Sequence, residues 1–183
     1  GEVVQVAPQI RRVIAKNPSK FTYHGTGTYI VGDGDVAVID PGPMVDSHRD
    51  ALVTALEGQR VSAILVTHCH SDHSPLAAWL RERSGAPTIA FGPHAVGTDW
   101  VEDDTPDEPD DERRAAAEAA EAAGEAKVEE SLDLAFDPDV RVADGEVAAF
   151  GDGWTLRALH TPGHTSDHLC CWLDERRALF TGD

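Results

Sequence analysis

The chain lacks any apolar run approaching the ~18–20 residues that a membrane-spanning helix requires. Its N-terminus shows no basic-then-apolar leader pattern, so the expectation is a cytoplasmic protein with no membrane attachment. Cysteine is scarce, at three residues, and two of those, Cys170 and Cys171, are adjacent in sequence. Neighbouring cysteines bridge each other only with strain, so reduced thiols are expected and a disulfide framework is not. Basic residues are few as well: 15 Lys and Arg face 33 Asp and Glu, for a net charge of −18. Such a chain has no general attraction for phosphate backbones, which disfavours nucleic acid as a partner and leaves a small-molecule substrate as the expectation. Internal repeats are absent. The glycines of Gly25-Thr26-Gly27-Thr28 precede a strand and not a helix, which excludes a dinucleotide loop.

The acidity is not spread evenly. Residues 99–130 hold 14 acidic side chains and 3 basic ones, so this block alone accounts for −11 of the charge. It opens with Pro, Asp and Glu and continues into an alanine-rich stretch from Glu112 to Lys127 that favours helix. With few large apolar residues it can bury little, and it reads as an exposed insertion. The rest of the chain has the length of one domain. Gly27–Gly32 and Val36–Asp40 are β-branched runs separated by Asp33-Gly34-Asp35, the pattern of a hairpin. A helix is expected over about Ser47–Leu56, a strand over Val61–Thr67, and a helix from Ser74-Pro75, as N-cap and first helical position, to about Arg83 before Gly85. Further strands are expected at Thr88–Phe91, Val140–Val142, Trp154–His160, His168–Leu173 and Ala178–Thr181. Strand and helix alternate through the first half, which points to a layered α/β fold.

The chemistry sits in THCHSDH, from Thr67 to His73. In extended chain, residues two apart face the same side, so His68 and His70 can address one metal ion together. As the chain turns into the following helix, Asp72 and His73 swing towards a neighbouring position. Four titratable groups at the end of a buried strand repel one another or lose solvation unless a cation neutralises them. His164, behind the turn at Pro162-Gly163, can complete a three-nitrogen set with a fourth position open, as catalytic zinc sites have. Asp183, closing LFTGD, can bridge to a second ion served by Asp72 and His73. Cys69 and Ser71 occupy the intervening positions and are expected to point away. The apolar face at Trp79 and Leu80 reads as core.

THCHSDH, TPGHT and FTGD, in that order and with VIDPG upstream, resemble the metallo-β-lactamase superfamily over nearly the whole chain. The wording around them, TYHGTGTYIVG, DHSPLA and HTPGHTSDHLCCWL, is most similar to the branch that contains β-lactamase-like protein 2. The resemblance implies an αββα sandwich with two zinc ions at one edge, one held by His68, His70 and His164 and the other by Asp72, His73 and Asp183. It implies that Asp183 bridges both ions and that Asp40 acts behind the ligands, orienting them through hydrogen bonds. It also implies a last metal histidine downstream of the Gly-Asp pair. Residues 1–183 then correspond to the N-terminal portion of such a domain, with 99–130 inserted in it and the C-terminal half supplied by the remainder of the polypeptide or by an oligomer.

The expected function is a zinc-dependent hydrolase in which a zinc-bound hydroxide attacks an ester, thioester or related substrate, with Asp72 orienting that hydroxide and accepting its proton. The alternatives are a single-strand endoribonuclease of the same fold or an inactive fragment of such an enzyme. A chain lacking part of its second sheet's surroundings is further expected to leave Leu156, Leu159, Leu169 and Leu173 with incomplete partners.

Overall fold

The computed structural model describes residues 2–19, 22–94 and 131–183. The expected insertion at 99–130, with its helix at Glu112–Lys127, lies outside the described residues. Two sheets face each other. The first runs β1 (Val3–Ala7), β2 (Ile10–Ile14), β3 (Gly27–Asp33), β4 (Asp35–Ile39), β5 (Arg60–Leu65), β6 (Thr88–Ala90) and β7 (Val140–Arg141), in that spatial order. The second holds β8 (Val147–Gly151), β9 (Trp154–His160), β10 (Leu169–Leu173) and β11 (Ala178–Phe180), in the reverse spatial order.

The expected hairpin forms β3 and β4, paired antiparallel with Asp33 opposite Asp35 across Gly34. From β4 to β7 the pairing is parallel. Parallel neighbours need crossovers, and helices α1 (Asp46–Ala55) and α2 (Leu76–Ser84) supply the first two. Leu52, Ala55, Leu76, Ala77 and Leu80 pack these helices onto Val36, Val38, Ile64 and Val66 of the first sheet. The sheet's other face, with Val31, Ile39 and Leu65, meets Trp154, Leu156, Leu169 and Leu173 of the second sheet. Covered on both sides, β4 is buried at every position from Val36 to Ile39. In β9, burial alternates: Trp154, Leu156 and Ala158 are buried and the residues between them are not. One run reads as continuous and the other as alternating because only the first sheet has both faces covered. These layers are helix, sheet and sheet of the expected αββα order. Among the described residues no helix covers the outer face of the second sheet.

Three expectations need correction. Leu156, Leu169 and Leu173 do not lack partners; each is at most 1% exposed between the sheets. Leu159 cannot share their face, because it lies an odd number of residues from Leu156, and it is half-buried on the other side. Ser74 is not the N-cap of α2. Pro75 takes that position, and the Ser74 hydroxyl instead donates to Asp133 at 2.8 Å, tying the helix start to the segment before β7. Gly85 does end α2, at φ 73. β1, β2 and β8 had no counterpart in the sequence reading. β1 is an edge strand with four exposed positions of five, although Val3, Val4 and Val6 give it the β-branched composition of a strand.

The alternation in β9 makes a stability prediction. Leu156→Ala should cost about 2–5 kcal/mol, and Leu159→Ala less than half of that, in denaturant unfolding. Equal losses would show that the two side chains share a face.

Candidate metal centre

The site is assembled where strands end. Asp40 follows β4, the Thr67–His73 segment follows β5, His164 lies in the connection from β9 to β10, and Asp183 follows β11. Asp40 is the fixed point. Its backbone sits at φ 50, in the left-handed region that few non-glycine residues adopt. From there its buried carboxylate accepts three hydrogen bonds: Oδ1 from the Thr67 amide at 2.8 Å, and Oδ2 from the Thr67 hydroxyl at 2.9 Å and from His73 Nδ1 at 3.0 Å.

These bonds determine which way the imidazoles present their lone pairs. The Thr67 hydroxyl has one proton, and it goes to Asp40. At 3.0 Å from His68 Nδ1, the same oxygen must then accept, so Nδ1 carries the hydrogen. Nε2 of His68 is left with its lone pair towards His70 Nδ1, 2.9 Å away. His164 Nε2 lies 2.9 Å from that same His70 atom. Donor atoms of His68, His70, His164 and Asp183 all fall within 4.8 Å of one another, as do those of Asp72, His73 and Asp183. Asp183 belongs to both groups. The structure therefore brings together all six residues singled out as ligands.

The electrostatics are those of a cation site. Burial, with mutual repulsion added, holds His68 and His70 in the neutral form that binds metal, His70 down to about 4. Burial alone would lower His73 too, but Asp40, Asp183 and Asp72 around it raise it well above its ordinary value. Its Nε2 lies 3.2 Å from Asp183 and 3.4 Å from Asp72, yet forms no aligned hydrogen bond. Burial would raise Asp72, but the adjacent His73 and the Thr26 hydrogen bond outweigh it and bring Asp72 down to about 2. Asp183 is lowered likewise, chiefly by His73 against its own burial. In the absence of metal, a histidine proton is thus the positive charge among three carboxylates. The donors also suit zinc: imidazole nitrogens and carboxylate oxygens, with nitrogen separations of 2.9 Å against the about 3.3 Å edge of a tetrahedron with ~2.0–2.1 Å arms.

Sequence reasoning overlooked several supporting residues. Thr26 donates to Asp72 Oδ2 at 2.6 Å. Asn17 holds Thr26 on both sides, donating to its hydroxyl at 3.1 Å and accepting from its amide at 3.0 Å. Thr26 lies in the GTGT run, whose glycines fail as a nucleotide loop. His168 is buried with its ring 5.2 Å from that of His68, and burial and then His164 lower it. Gly182 allows Asp183 to close on the site: at φ 67, an added Cβ would come within 2.7 Å of the Thr67 hydroxyl. Cys69 does point away, as expected, and burial, followed by the Asp167 carboxylate, pushes its thiol up to about 12. A cleft lined by Thr26, Tyr29, Asp72, His73, Phe180 and Asp183 opens beside the second donor group.

Two predictions follow from this geometry. Thr67→Val should lower zinc affinity about 10–100-fold in chelator competition, because it removes the group that orients His68. The second concerns the metal-stripped protein. His48 (to about 4), His68, His70 and His168 have folded pKa values below the unfolded ~6.5. As pH falls from 6.5 towards 4, the unfolded state binds more protons and stability drops. His73 has the opposite sign. Its contribution is full below ~6.5 and disappears as pH rises through its elevated folded value. Stability of the metal-free form should therefore peak near neutrality, and urea unfolding at a series of pH values would show it. A midpoint that rises steadily on acidification to pH 5 would contradict the assigned protonation states.

Comparison with known proteins shows the family of the chain. Residues 23–183 match the family model of the metallo-beta-lactamase superfamily. The chain is 32% identical over its full length to an atrochrysone carboxyl ACP thioesterase of Cryptosporiopsis sp. and 31% identical to a lactamase-like protein of Pestalotiopsis fici, covering 45% and 47% of those proteins. It thus spans about half the length of the curated relatives it matches. Among solved structures, a motif variant of a metallo-beta-lactamase from Cronobacter sakazakii superposes with a TM-score of 0.62 at 21% identity, over 98% of this chain and 62% of that one. The chain belongs to the metallo-beta-lactamase superfamily.

Proposed function

We propose that this chain carries the greater part of the active site of a zinc-dependent hydrolase that cleaves a small-molecule thioester. The observation that carries the reading is the convergence of two donor groups on a shared Asp183, with the tautomer of His68 dictated from behind by Thr67 and Asp40. His68, His70 and His164 would hold one ion, and Asp72, His73 and Asp183 the other. When bound, such ions supply a Lewis acid for a carbonyl oxygen and lower the pKa of water towards neutrality.

The remaining chemistry belongs to the chain. Asp72 has one oxygen engaged by Thr26 and stays ionised at neutral pH, so it can hold a water through hydrogen bonding and accept its proton. Asn17 and Thr26 prevent that carboxylate from turning. Neither Ser71 nor Cys69 is required as a nucleophile, and the raised thiol of Cys69 leaves it protonated and unreactive. The choice of thioester rests on the relatives. The similar protein from Cryptosporiopsis sp. is an acyl-carrier-protein thioesterase, as is one from Aspergillus novofumigatus at 31% identity. The net charge of −18 argues against RNA as the substrate.

Zinc-loaded complete protein should release thiol from a simple acyl thioester and leave single-stranded RNA intact; RNA cleavage without thioester hydrolysis would overturn the reading. Asp72→Asn should lower kcat about 10²–10⁴-fold with a much smaller effect on KM. Retention of more than half the turnover would remove Asp72 from the proton transfer.

A further inference from the structure

Beyond the two donor groups, a third set of metal-ligating side chains converges at the same end of the sandwich. Donor atoms of Cys69, His94 and Asp167 lie within 4.8 Å of one another. They come from three separate segments: Cys69 after β5, His94 after β6, and Asp167 in the connection from β9 to β10. Cys69 cannot belong to the first site, because extended backbone turns it to the side opposite His68 and His70. Neither of the other donor groups includes it.

Asp167 is the residue that calls for a ligand. It is 1% exposed, and its Oδ2 has no hydrogen-bond partner among the described residues. Its Oδ1 is approached by the Cys69 thiol, a weak donor, at 3.8 Å and by His94 Nδ1 at 3.6 Å, too far for a hydrogen bond. His94 Nδ1 also lies 3.0 Å from the Ser166 hydroxyl. A carboxylate buried with so little compensation is among the costliest arrangements a fold can hold unless a cation supplies the missing charge. The separations suit one. Zinc–ligand distances of about 2.3 Å to sulfur and 2.0–2.2 Å to nitrogen and oxygen place the ligands about 3.3–3.6 Å apart in a tetrahedron.

We propose that Cys69, His94 and Asp167 form a further cation site, separate from the two-metal centre, for a thiophilic divalent ion of the zinc class. Sulfur among the donors excludes calcium and magnesium, which take oxygen. Binding converts the thiol to a metal thiolate and releases its proton to solvent. With three protein donors, a fourth position stays open to water. The ion would join the ends of β5 and β6 to the β9–β10 connection, bracing from behind the segment that presents His68 and His70.

Cobalt(II) titrated into the metal-stripped complete protein tests this, because only a thiolate ligand gives a sulfur-to-cobalt charge-transfer band in the near ultraviolet. The band should appear in the wild type, survive His164→Ala and vanish in Cys69→Ser. In His94→Ala it should need at least about tenfold more cobalt to saturate. No band in the wild type would overturn the proposal. So would a band that survives Cys69→Ser, which would place the thiolate at another cysteine, or one lost in His164→Ala, which would place Cys69 in the first site. Circular dichroism checks that Cys69→Ser folds. If it does not, His94→Ala decides, and unchanged cobalt saturation in that variant sinks the idea.

Discussion

The hydrogen bonds converging on the Asp40 carboxylate are the constraint from which the rest of the centre is built. One oxygen takes the Thr67 amide and so fixes the backbone where β5 gives way to the ligand segment. The other takes the Thr67 hydroxyl and His73 Nδ1, and through them sets the lone pair of His68 and the direction of His73 Nε2. A side chain that did only one of these jobs would leave an imidazole free to rotate, and a rotated imidazole presents N–H where a lone pair is needed. The left-handed backbone at Asp40 is the strained feature that makes the geometry reachable. Two backbone bonds hold that turn in place: Asp40 donates to Leu65 at 2.9 Å, and Gly42 donates to His73 at 2.9 Å.

The topology explains why so many chemical groups meet at one edge. β4, β5 and β6 run parallel, so their C-terminal ends lie side by side and deliver Asp40, the Thr67–His73 segment and His94 to the same rim. β9 ends at that rim as well, and its connection to β10 carries His164 and Asp167. A backbone bond from the Leu169 amide to the Thr67 carbonyl, at 2.8 Å, stitches this connection to the ligand segment. β11 returns in the same direction as β9 and ends at Asp183. Both sheets therefore contribute donors without any strand leaving its ladder, and the apolar layer between them keeps the rim rigid.

What the sequence made legible was what its local pattern dictates. Ligand residues two apart in extended chain, a turn forced by Pro162-Gly163, and runs that differ in burial period all follow from backbone geometry over a few residues. The six ligand candidates and Asp40 came from that level together with the family resemblance. Thr26 and Asn17 did not, because their meaning depends on a contact across 46 residues between Thr26 and Asp72. Cys69 shows the same limit in reverse. Its direction away from the first site was readable from alternation, whereas its neighbours there, from positions 94 and 167, were not. Ser74-Pro75 misled for a related reason: the pair fits a helix start by propensity, but the serine hydroxyl finds a tertiary partner in Asp133.

The charge distribution also separates the two donor groups by what holds them together. Burial holds His68 and His70 neutral, so their convergence is opposed by crowding and lost hydration, which packing can offset. Asp72, Asp183 and Asp40 surround His73 with negative charge, and their proximity needs a positive partner at every moment. Without metal that partner is the His73 proton, on the very ring whose nitrogen a metal would require. A metal ion bound through that nitrogen would have to displace the proton.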